Sequence, residues 1–446
     1  SLVAADYAKS YGCVIFFGGF MAHGDMGKEL LENACVDAVI DGPGEIAVPR
    51  WINQGCPSGF FTATCISHSY LVPEYDDYFS NIPHDDHFNS TLLLEASRGC
   101  DYGACTFCAQ NSIQGRFVYP ADYIISCLNH FNENYQCKHI EFADTSLPIK
   151  LFKYLTKNSD LPALTKSKYV FAESRCLASS DMCQIAKAGF SNLQIGVESL
   201  SQGVLNLMKK DSTLLENICC LRESWNYGIT LNYNIILDMP GTTIDDYNKM
   251  LNLLPFIHHL PPPTSLIRFQ LQRNSPVFKH PERYNIFNII PHHYHRFLNS
   301  AHPTFYYSFS NKHTLSSQLL QNAHNEFKKW ELNFDYSKPL CIARLFNNHA
   351  EITDTRSNLP LIHPNQYSLT KEASAILKIC RKPQPLHLIK QISSKYSSSP
   401  IYDLINLGLI IESDGFYATL PVLIHNDEFL PVQQKRDPID SYFVYT

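Results

Sequence analysis

Residues 91 to 270 switch repeatedly between two hydrophobic periods, and this pattern predicts strands separated by helices. Short apolar runs predict the strands, at Thr91–Glu95, His139–Phe142, Tyr169–Ala172, Asn192–Gly196, Thr230–Leu237 and Ser265–Leu271. Apolar residues at helical spacing predict the helices, at Ala121–Phe131, Ile149–Lys157, Asp181–Ala188, Gly203–Lys210, Leu215–Tyr227 and Ile244–Leu254. Strands that alternate with helices form a parallel sheet, so residues 91–275 predict an α/β core shaped as a partial (β/α)6 barrel.

Two of these helices carry predicted end signals. Ser180 stands where an N-cap is expected for Asp181–Ala188, and Gly189 follows its last residue. Thr242 and Asp245 have the spacing of a capping box for the last helix.

The first 60 residues predict half of a doubly wound α/β domain that lacks its earlier strands. The pattern gives a strand and a glycine turn at Cys13–Phe20, a helix at Asp25–Asn33, a strand at Val36–Ile40 and a helix at Gly44–Trp51. The sequence starts at Ser1 rather than at Met, so we expect further residues upstream. Residues 61–90 have no strong period and contain two prolines, which predicts a linker.

After residue 275 the alternation stops. Residues 276–368 predict an accessory region, in which residues 276–325 are irregular with some helix and residues 330–356 form a hairpin. Residues 369–446 predict a small α+β domain of three helices and a hairpin turned by Asp414 and Gly415. This order is typical of a winged helix. Its third helix has no Lys or Arg, which argues against DNA binding and leaves peptide binding or simple packing.

Composition narrows the class of protein. The 446 residues are 45% hydrophobic and 17% charged with a net charge of −6, as in an ordinary globular chain. No Lys/Arg run forms a nucleic-acid track, and no apolar stretch is long enough to span a membrane. The 15 cysteines are odd in number and mostly scattered, which favours a reducing compartment, the cytoplasm, over a disulfide framework.

Three cysteines are close together directly after the first strand of the predicted core. Cys100, Cys105 and Cys108 lie within nine residues, and their thiolates can bind three irons of a [4Fe–4S] cluster. The fourth iron would then be open to a substrate. Zinc is the alternative, but it needs a fourth ligand, and no further CxxC or HxxxH pair occurs in the sequence.

With these cysteines at that place, and the aromatic Phe107 before the last of them, the chain resembles the radical S-adenosylmethionine (SAM) enzymes. Their usual spacing is CxxxCxxC, whereas this sequence has CxxxxCxxC, so its loop is longer. The resemblance implies a [4Fe–4S] cluster and a SAM site at the carboxyl ends of the strands. The residues that it assigns to SAM are Phe107, Asp144, Thr145, Glu173, Arg175, Gln194, Glu198, Asn232, Asn234 and Pro240. The alternative for each strand-end carboxylate is a structural role as a helix cap or as an ordinary surface group.

The runs Ala188–Phe190, Gln194–Leu200 and Val204–Lys210 make the core similar to radical enzymes that mature ribosomally made peptides and carry an amino-terminal cobalamin domain. The amino-terminal half-domain resembles the end of that cobalamin domain, which implies corrinoid contacts at Gly18, Gly19, Gly42 and Glu45. The chain has no Asp-x-His-x-x-Gly cobalt-ligand motif, and a vestigial domain that only packs on the core is the alternative.

The resemblance implies an enzyme that cleaves SAM reductively and modifies an unactivated carbon of a ribosomally made peptide, with cobalamin-dependent C-methylation as one outcome. A precursor peptide and a reducing donor such as flavodoxin or ferredoxin are the implied partners; neither DNA nor a membrane is expected. No further catalytic residue is assigned. The alternatives are a radical enzyme acting on a small molecule or tRNA, and a truncated, non-catalytic homologue that serves as a peptide-binding scaffold.

Overall fold

The structure is a computed structural model that describes residues 2–63, 70–110, 117–135, 137, 139–157, 169–174, 182–187, 189–291, 304–312, 315–335, 337, 339–356, 359, 365–393 and 400–425. The chain forms two compact units. The smaller comprises Ser1–Pro73, Ser97–Tyr119 and Gln270–His313, and the larger comprises Glu74–Ala96, Pro120–Phe269 and Thr314–Thr446. The domain boundaries expected from the sequence stay predictions.

Seven strands of the larger unit follow one another in chain order: β1 (Thr91–Leu94), β2 (His139–Phe142), β3 (Tyr169–Ser174), β4 (Phe190–Ile195), β5 (Thr230–Asn232), β6 (Asn234–Leu237) and β7 (Ser265–Arg268). β1 to β5 form one parallel sheet, β6 and β7 form a parallel pair, and a bridge from Glu198 to Ile235 joins the two. Among the described strands, β1 and β7 each have one neighbour, so the series is open. The predicted α/β class is confirmed, and the single strand predicted over Thr230–Leu237 is split at Tyr233.

The sheet has two different faces because side chains alternate along each strand. One face is apolar and fully buried, with Leu92, Leu94, Ile140, Phe142, Leu193, Ile195 and Leu231. The opposite face carries Glu141 on β2, Asn192 and Gln194 on β4, and Asn232 on β5. The apolar face packs in the buried core, and the polar face carries the side chains that could contact a ligand.

The helices between these strands are α1 (Ala121–Asn134), α2 (Ile149–Lys157), α3 (Met182–Lys187), α4 (Gln202–Met208), α5 (Leu214–Tyr227) and α6 (Ile244–Ile257). A capping box of Thr213 and Glu216 opens α5. The capping box predicted for the last helix is wrong by one residue, since Thr243 and Asp246 form it. The Thr242 hydroxyl instead donates to the Met239 carbonyl at 2.6 Å. Ser180 lies outside the described residues.

The rest of the larger unit has two short helices (Asp76–Ser80 and His84–His87) and, after α6, a long helix (Ser317–Asn333). A four-stranded sheet follows, in the order Gln366–Leu369, Ala350–Asp354, Cys341–Leu345 and Val422–His425. Three helices (Lys371–Ile379, Leu386–Ser393 and Ile401–Asn406) accompany a three-stranded sheet in the order Gln384–Pro385, Phe416–Thr419 and Ile410–Ser413. One apolar core joins the four-stranded sheet to these helices.

The smaller unit contains a three-stranded parallel sheet, Phe16–Phe17, Ala38–Asp41 and Gly59–Thr62, with the helices Leu2–Ser10, Gly24–Leu31 and Gly44–Asn53 and a short 3-10 helix at Phe20–Ala22. Both faces are covered: Val39 packs with Leu30 on one side, and Ile40 packs with Trp51 on the other. Burial on both faces explains why residues 38–40 of the middle strand are all apolar. The third strand and the first helix were not predicted from the sequence.

The remaining elements of the smaller unit are a short antiparallel pair, Ser97–Arg98 with Phe117–Val118, and an antiparallel sheet of Leu271–Gln272, Tyr306–Asn311 and Ile286–Pro291. The short helices Pro276–Lys279 and Pro281–Tyr284 lie in the chain between the strands Leu271–Gln272 and Ile286–Pro291. The prediction of irregular structure after residue 275 is therefore wrong for the two longer strands. None of the described helices has both the length and the apolar character needed to cross a membrane.

Candidate active site

The cysteine loop is held in place by hydrogen bonds from the backbone and from one side chain within the smaller unit. Val277 N–H donates to the Thr106 carbonyl at 3.0 Å, and Ala109 N–H donates to Gln272 Oε1 at 3.1 Å. Gly99 and Gly103 have φ angles of 76° and 64°, which residues with a Cβ rarely adopt. The two glycines let the loop turn twice within a few residues.

The loop presents three thiols. Cys100, Cys105 and Cys108 are half-buried, and none is in a disulfide; Phe107, also half-buried, lies beside the last of them. Three thiols on one fixed loop are the donor set that three irons of a cubane cluster take, so the residues fit that group. Among the described residues, no three His, Cys, Asp or Glu side chains converge on a single metal ion. In a cubane cluster each thiolate binds its own iron, so its ligands need no common centre.

An ion pair ties this loop to the parallel sheet of the same unit. Arg98, two residues before Cys100, donates to both carboxylate oxygens of Glu45. The Arg98 guanidinium holds the pKa of Glu45 below its ordinary value. Glu45, which the resemblance assigns to a corrinoid, is thus engaged by the residue that precedes the cysteines, and its corrinoid contact stays a prediction.

The glycines assigned to the corrinoid lie at the carboxyl ends of the strands of this small sheet. Gly19 has a φ of 84°, and a Cβ built there meets no atom of the described residues within 4 Å, so they leave the space around it open. Gly42 has a φ of 106°, and a Cβ there would collide with the carbonyl of Ala63. A Cβ at Gly18 would touch only the Ile40 carbonyl, at 3.7 Å. The open backbone at Gly18 and Gly19, at the carboxyl edge of a parallel sheet, fits a bulky ligand, whereas the space at Gly42 is filled by the chain itself.

In the larger unit, the carboxyl end of β2 carries Asp144 and Thr145. Asp144 is 3% exposed, and its Oδ2 accepts a hydrogen bond from Ala96 N–H at 2.9 Å. The carboxylate therefore fixes the chain just beyond β1. Thr145 is half-buried beside it. The structure thus gives Asp144 a structural contact, and its contact with SAM stays a prediction.

Three of the predicted residues lie side by side across the sheet. Glu173 on β3, Gln194 on β4 and Asn232 on β5 are in register with one another. Asn232 Nδ2 donates to Asn192 Oδ1 at 3.3 Å. This bond joins the row to Asn192, which lies two residues before Gln194 on the same face of β4. Asn234 accepts from the Ser265 hydroxyl at 2.7 Å, so it pairs β6 with β7. The side chain of Glu173 and the whole of Arg175 lie outside the described residues.

Glu198 follows β4 in the left-handed region, with a φ of 60°. Its Oε1 is 3.6 Å from Lys210 Nζ, and both side chains are largely buried, at 18% and 8% exposure. Burial raises the pKa of Glu198, and the Lys210 charge opposes that rise. A Cβ on Gly196 would lie 2.7 Å from Lys210 Nζ, so the glycine makes room for the pair.

Pro240 is buried in the turn after β6, where Gly241 has a φ of 95° and Thr242 N–H donates to the Met239 carbonyl at 3.0 Å. Arg268 at the end of β7 donates through Nε and Nη2 to one oxygen of Asp238, at 2.9 and 2.7 Å. The turn is therefore held by a hydrogen bond of its own and by the ion pair from the end of β7.

The sequence analysis assigned no role to Lys210, Asn192 or Glu141. The alternation along β4 places Asn192 on the face of Gln194, so period two was the signal for it. Glu141 lies on the same face, and burial raises the pKa of its carboxyl group. No pattern pairs Lys210 with Glu198, since twelve residues and a helix separate them.

Comparison with known proteins shows which fold this chain shares. The chain matches no known family profile and no curated protein. Among solved structures it is similar to the cobalamin-dependent S-adenosylmethionine radical enzyme OxsB with aqua-cobalamin and SAM bound, at a TM-score of 0.53 and 15% identity, covering 74% of this chain and 55% of that one. The chain has the fold of a cobalamin-dependent radical SAM enzyme.

Apo OxsB gives a similar result, with a TM-score of 0.50, 17% identity and coverage of 67% of this chain and 56% of that one. TsrM, a radical SAM methyltransferase from Kitasatospora setae, matches at a TM-score of 0.42 and 11% identity over 54% of this chain and 52% of that one. The chain thus spans little more than half the length of OxsB. The predicted resemblance in fold to radical SAM enzymes that depend on cobalamin is confirmed.

Proposed function

We propose that this protein is a radical SAM enzyme that holds a [4Fe–4S] cluster on Cys100, Cys105 and Cys108 and modifies an unactivated carbon of its substrate. The observation that carries the proposal is the loop of three cysteines, none of them in a disulfide, in a chain with the radical SAM fold. The structure of OxsB with aqua-cobalamin and SAM supports the same two small molecules here. The open strand series supports the partial barrel that this chemistry uses.

A bound cluster supplies the electron that splits SAM into methionine and a 5′-deoxyadenosyl radical, which abstracts hydrogen from carbon. The chain positions the nucleoside and excludes water. The amides of Gln194 and Asn232 and the carboxylate of Glu198 suit ribose and adenine, because each offers hydrogen-bonding atoms on the polar face of the sheet. Asp144 fixes the backbone just ahead of the cysteine loop.

We further propose a ribosomally made peptide as the substrate and cobalamin-dependent C-methylation as the reaction. The carboxyl-terminal helices and hairpin support a winged-helix module that binds a leader peptide. Its strand Ile410–Ser413 pairs, within the described residues, with Phe416–Thr419 alone. The unpaired edge suits an added peptide strand. Beside this hairpin a cavity of about 550 Å³ is lined by Lys382, Asp414 and Phe416, among others.

Anaerobic reconstitution tests the proposal. We expect about four irons and four sulfides per chain, and 5′-deoxyadenosine once SAM and a reductant are added. Replacing all three loop cysteines with alanine should abolish both. The matched control replaces Cys13, Cys35 and Cys56, three free cysteines elsewhere in the same unit, and should leave iron content unchanged.

A chain that binds zinc in place of iron, or that forms no deoxyadenosine with a full cluster, contradicts the proposal and favours the non-catalytic scaffold. Mass spectrometry after turnover with candidate precursor peptides tests the substrate. A gain of one methyl group supports C-methylation, and an unchanged or dehydrogenated mass favours epimerisation or cyclisation. Turnover of a small molecule or tRNA alone contradicts the peptide assignment.

A further inference from the structure

One histidine of the smaller unit is held by a buried carboxylate. His23 follows the short helix Phe20–Ala22, and its Nδ1 lies 2.6 Å from Oδ1 of Asp41, the last residue of the middle strand. Gly24 N–H donates to the other oxygen of Asp41 at 3.1 Å. These two contacts, with the helix amide and with the imidazole, fix the Asp41 carboxylate. Asp41 itself is only 9% exposed.

This contact determines which ring nitrogen is available. A carboxylate only accepts hydrogen bonds, so Nδ1 of His23 is the donor and Nε2 carries the lone pair in the neutral ring. The His23 side chain is 38% exposed. Within the described part of the chain, Nε2 has no hydrogen-bond partner. An oriented imidazole with an available nitrogen is the arrangement in which histidine binds metals, its other nitrogen donating to a carboxylate.

The place of the pair matches a ligand site. Both residues lie at the carboxyl edge of the three-stranded parallel sheet, where doubly wound folds bind their ligands. Gly18 and Gly19 belong to the loop that leads to His23, and Gly42 directly follows Asp41. A role of Asp41 in holding the helix amide accounts for its contact with Gly24 but not for the bond to the imidazole.

We propose that His23 is the axial nitrogen ligand of the cobalt of a corrinoid bound at this edge, and that Asp41 orients it. The proposal rests on the cobalamin binding proposed above. Asp41 and His23 are eighteen residues apart in reverse order, so they would do with tertiary contact what a contiguous Asp-x-His-x-x-Gly motif does within one loop.

Electron paramagnetic resonance of the full chain loaded with cobalamin and reduced to Co(II) tests the ligand. An axial nitrogen splits each cobalt line: ¹⁴N, with nuclear spin one, gives triplets, and ¹⁵N, with spin one-half, gives doublets. Protein grown with ¹⁵N-histidine and otherwise natural nitrogen should give doublets, and unlabelled protein should give triplets. Triplets in the labelled protein would assign the ligand to the nucleotide base of the cofactor, and unsplit lines would assign it to water. Either result overturns the proposal.

The variants separate this proposal from the one on which it rests. His23→Gln should remove the histidine splitting, and Asp41→Asn should weaken cobalamin binding about 10- to 100-fold. The control is His280→Gln, in the same unit with a half-exposed side chain, which should keep the doublets of the labelled protein. If wild-type protein binds no cobalamin, the cofactor assignment fails and the ligand with it. If it binds cobalamin without histidine splitting, only the ligand assignment is wrong.

Discussion

The Glu198–Lys210 pair shows how single residues shape the end of β4. Glu198 is left-handed and largely buried, so its carboxylate has lost most of its hydration. Lys210 Nζ is the cation that opposes the resulting rise in pKa. Gly196 leaves the space that the two side chains occupy. These three residues depend on one another, although only Glu198 was a predicted site residue.

Lys210→Met tests this dependence, because methionine keeps most of the length of the side chain and removes its charge. A buried carboxylate without its partner is strongly unfavourable, so we expect a loss of about 3 kcal/mol in the free energy of unfolding, measured in urea. The control is Lys249→Met, which breaks a pair with Asp245 that is 72% and 71% exposed and should cost less than about 0.5 kcal/mol. Equal effects of the two variants would contradict a special role for Lys210.

At this scale the sequence predicted positions better than contacts. The cysteines and the row of Glu173, Gln194 and Asn232 follow from strand ends and register, which period and spacing reveal. The pairs Arg98 with Glu45 and His23 with Asp41 join residues far apart in the chain. Such pairs depend on tertiary structure, and no local pattern encodes them.

Among the elements, α5 is buried along most of its length because the carboxyl-terminal hairpin packs on it. Arg222 and Glu223 on this helix are fully buried. Arg222 donates to the carbonyls of Thr419 and Arg381, and the Arg381 side chain donates to both oxygens of Glu223, at 3.0 and 2.6 Å. Burial alone would raise the pKa of Glu223, but the two guanidiniums outweigh it and lower that pKa.

Glu223→Gln tests this network. The substitution leaves the buried guanidinium of Arg222 and the partly exposed one of Arg381 without their anion, so we expect a loss of about 3–5 kcal/mol on unfolding and a lower urea midpoint. Glu282→Gln is the matched control, since that carboxylate is 69% exposed and its ion pairs are long, at 3.8 and 4.0 Å. A loss below about 1 kcal/mol for Glu223→Gln would show that the network does not hold the hairpin on α5.

The elements missed by the sequence analysis share a cause. Ile286–Pro291 and Tyr306–Asn311 pair across a bulge, and the residues around them are rich in polar and aromatic side chains without a clean period. Gly59–Thr62 has only four residues and follows a proline. All three strands depend on pairing with strands distant in the sequence. The strands of the main sheet, in contrast, are runs of apolar residues that the sequence itself reveals.

At the scale of the whole molecule, the carboxyl-terminal elements meet the core at two buried histidines. His259 Nε2 donates to the Leu420 carbonyl at 2.8 Å, and its own carbonyl accepts from the Trp225 indole at 3.1 Å. His258 stacks on Trp330 with ring centres 6.3 Å apart. Among the described residues, His258 Nε2 and His259 Nδ1 have no hydrogen-bond partner, so protonating either ring would bury an unpaired N–H.

This burial makes the stability of the chain sensitive to acid. Burial lowers the pKa of His258 to about 4 and that of His259 to about 3, whereas an unfolded histidine has a pKa of about 6.5. The unfolded chain therefore takes up protons first as pH falls below 6.5. The stability contributed by the neutral rings is complete above about pH 6.5 and is lost progressively on acidification towards pH 4.

Urea unfolding measured at intervals from pH 7 to pH 4.5 checks this sign and its origin. Two such histidines give a slope approaching about 2.7 kcal/mol per pH unit below pH 6, and His258→Phe should halve it, because phenylalanine can still stack on Trp330 and takes up no proton. His349→Phe, at an exposed position on the same unit, should leave the wild-type slope. Carboxylates such as Glu223 lose their contribution in acid as well, but they do so equally in all three proteins. The difference between the slopes of the two variants therefore measures the proton uptake of the buried His258 ring alone. A wild-type slope in His258→Phe would mean that this ring is already protonated, or is not buried, in the folded chain.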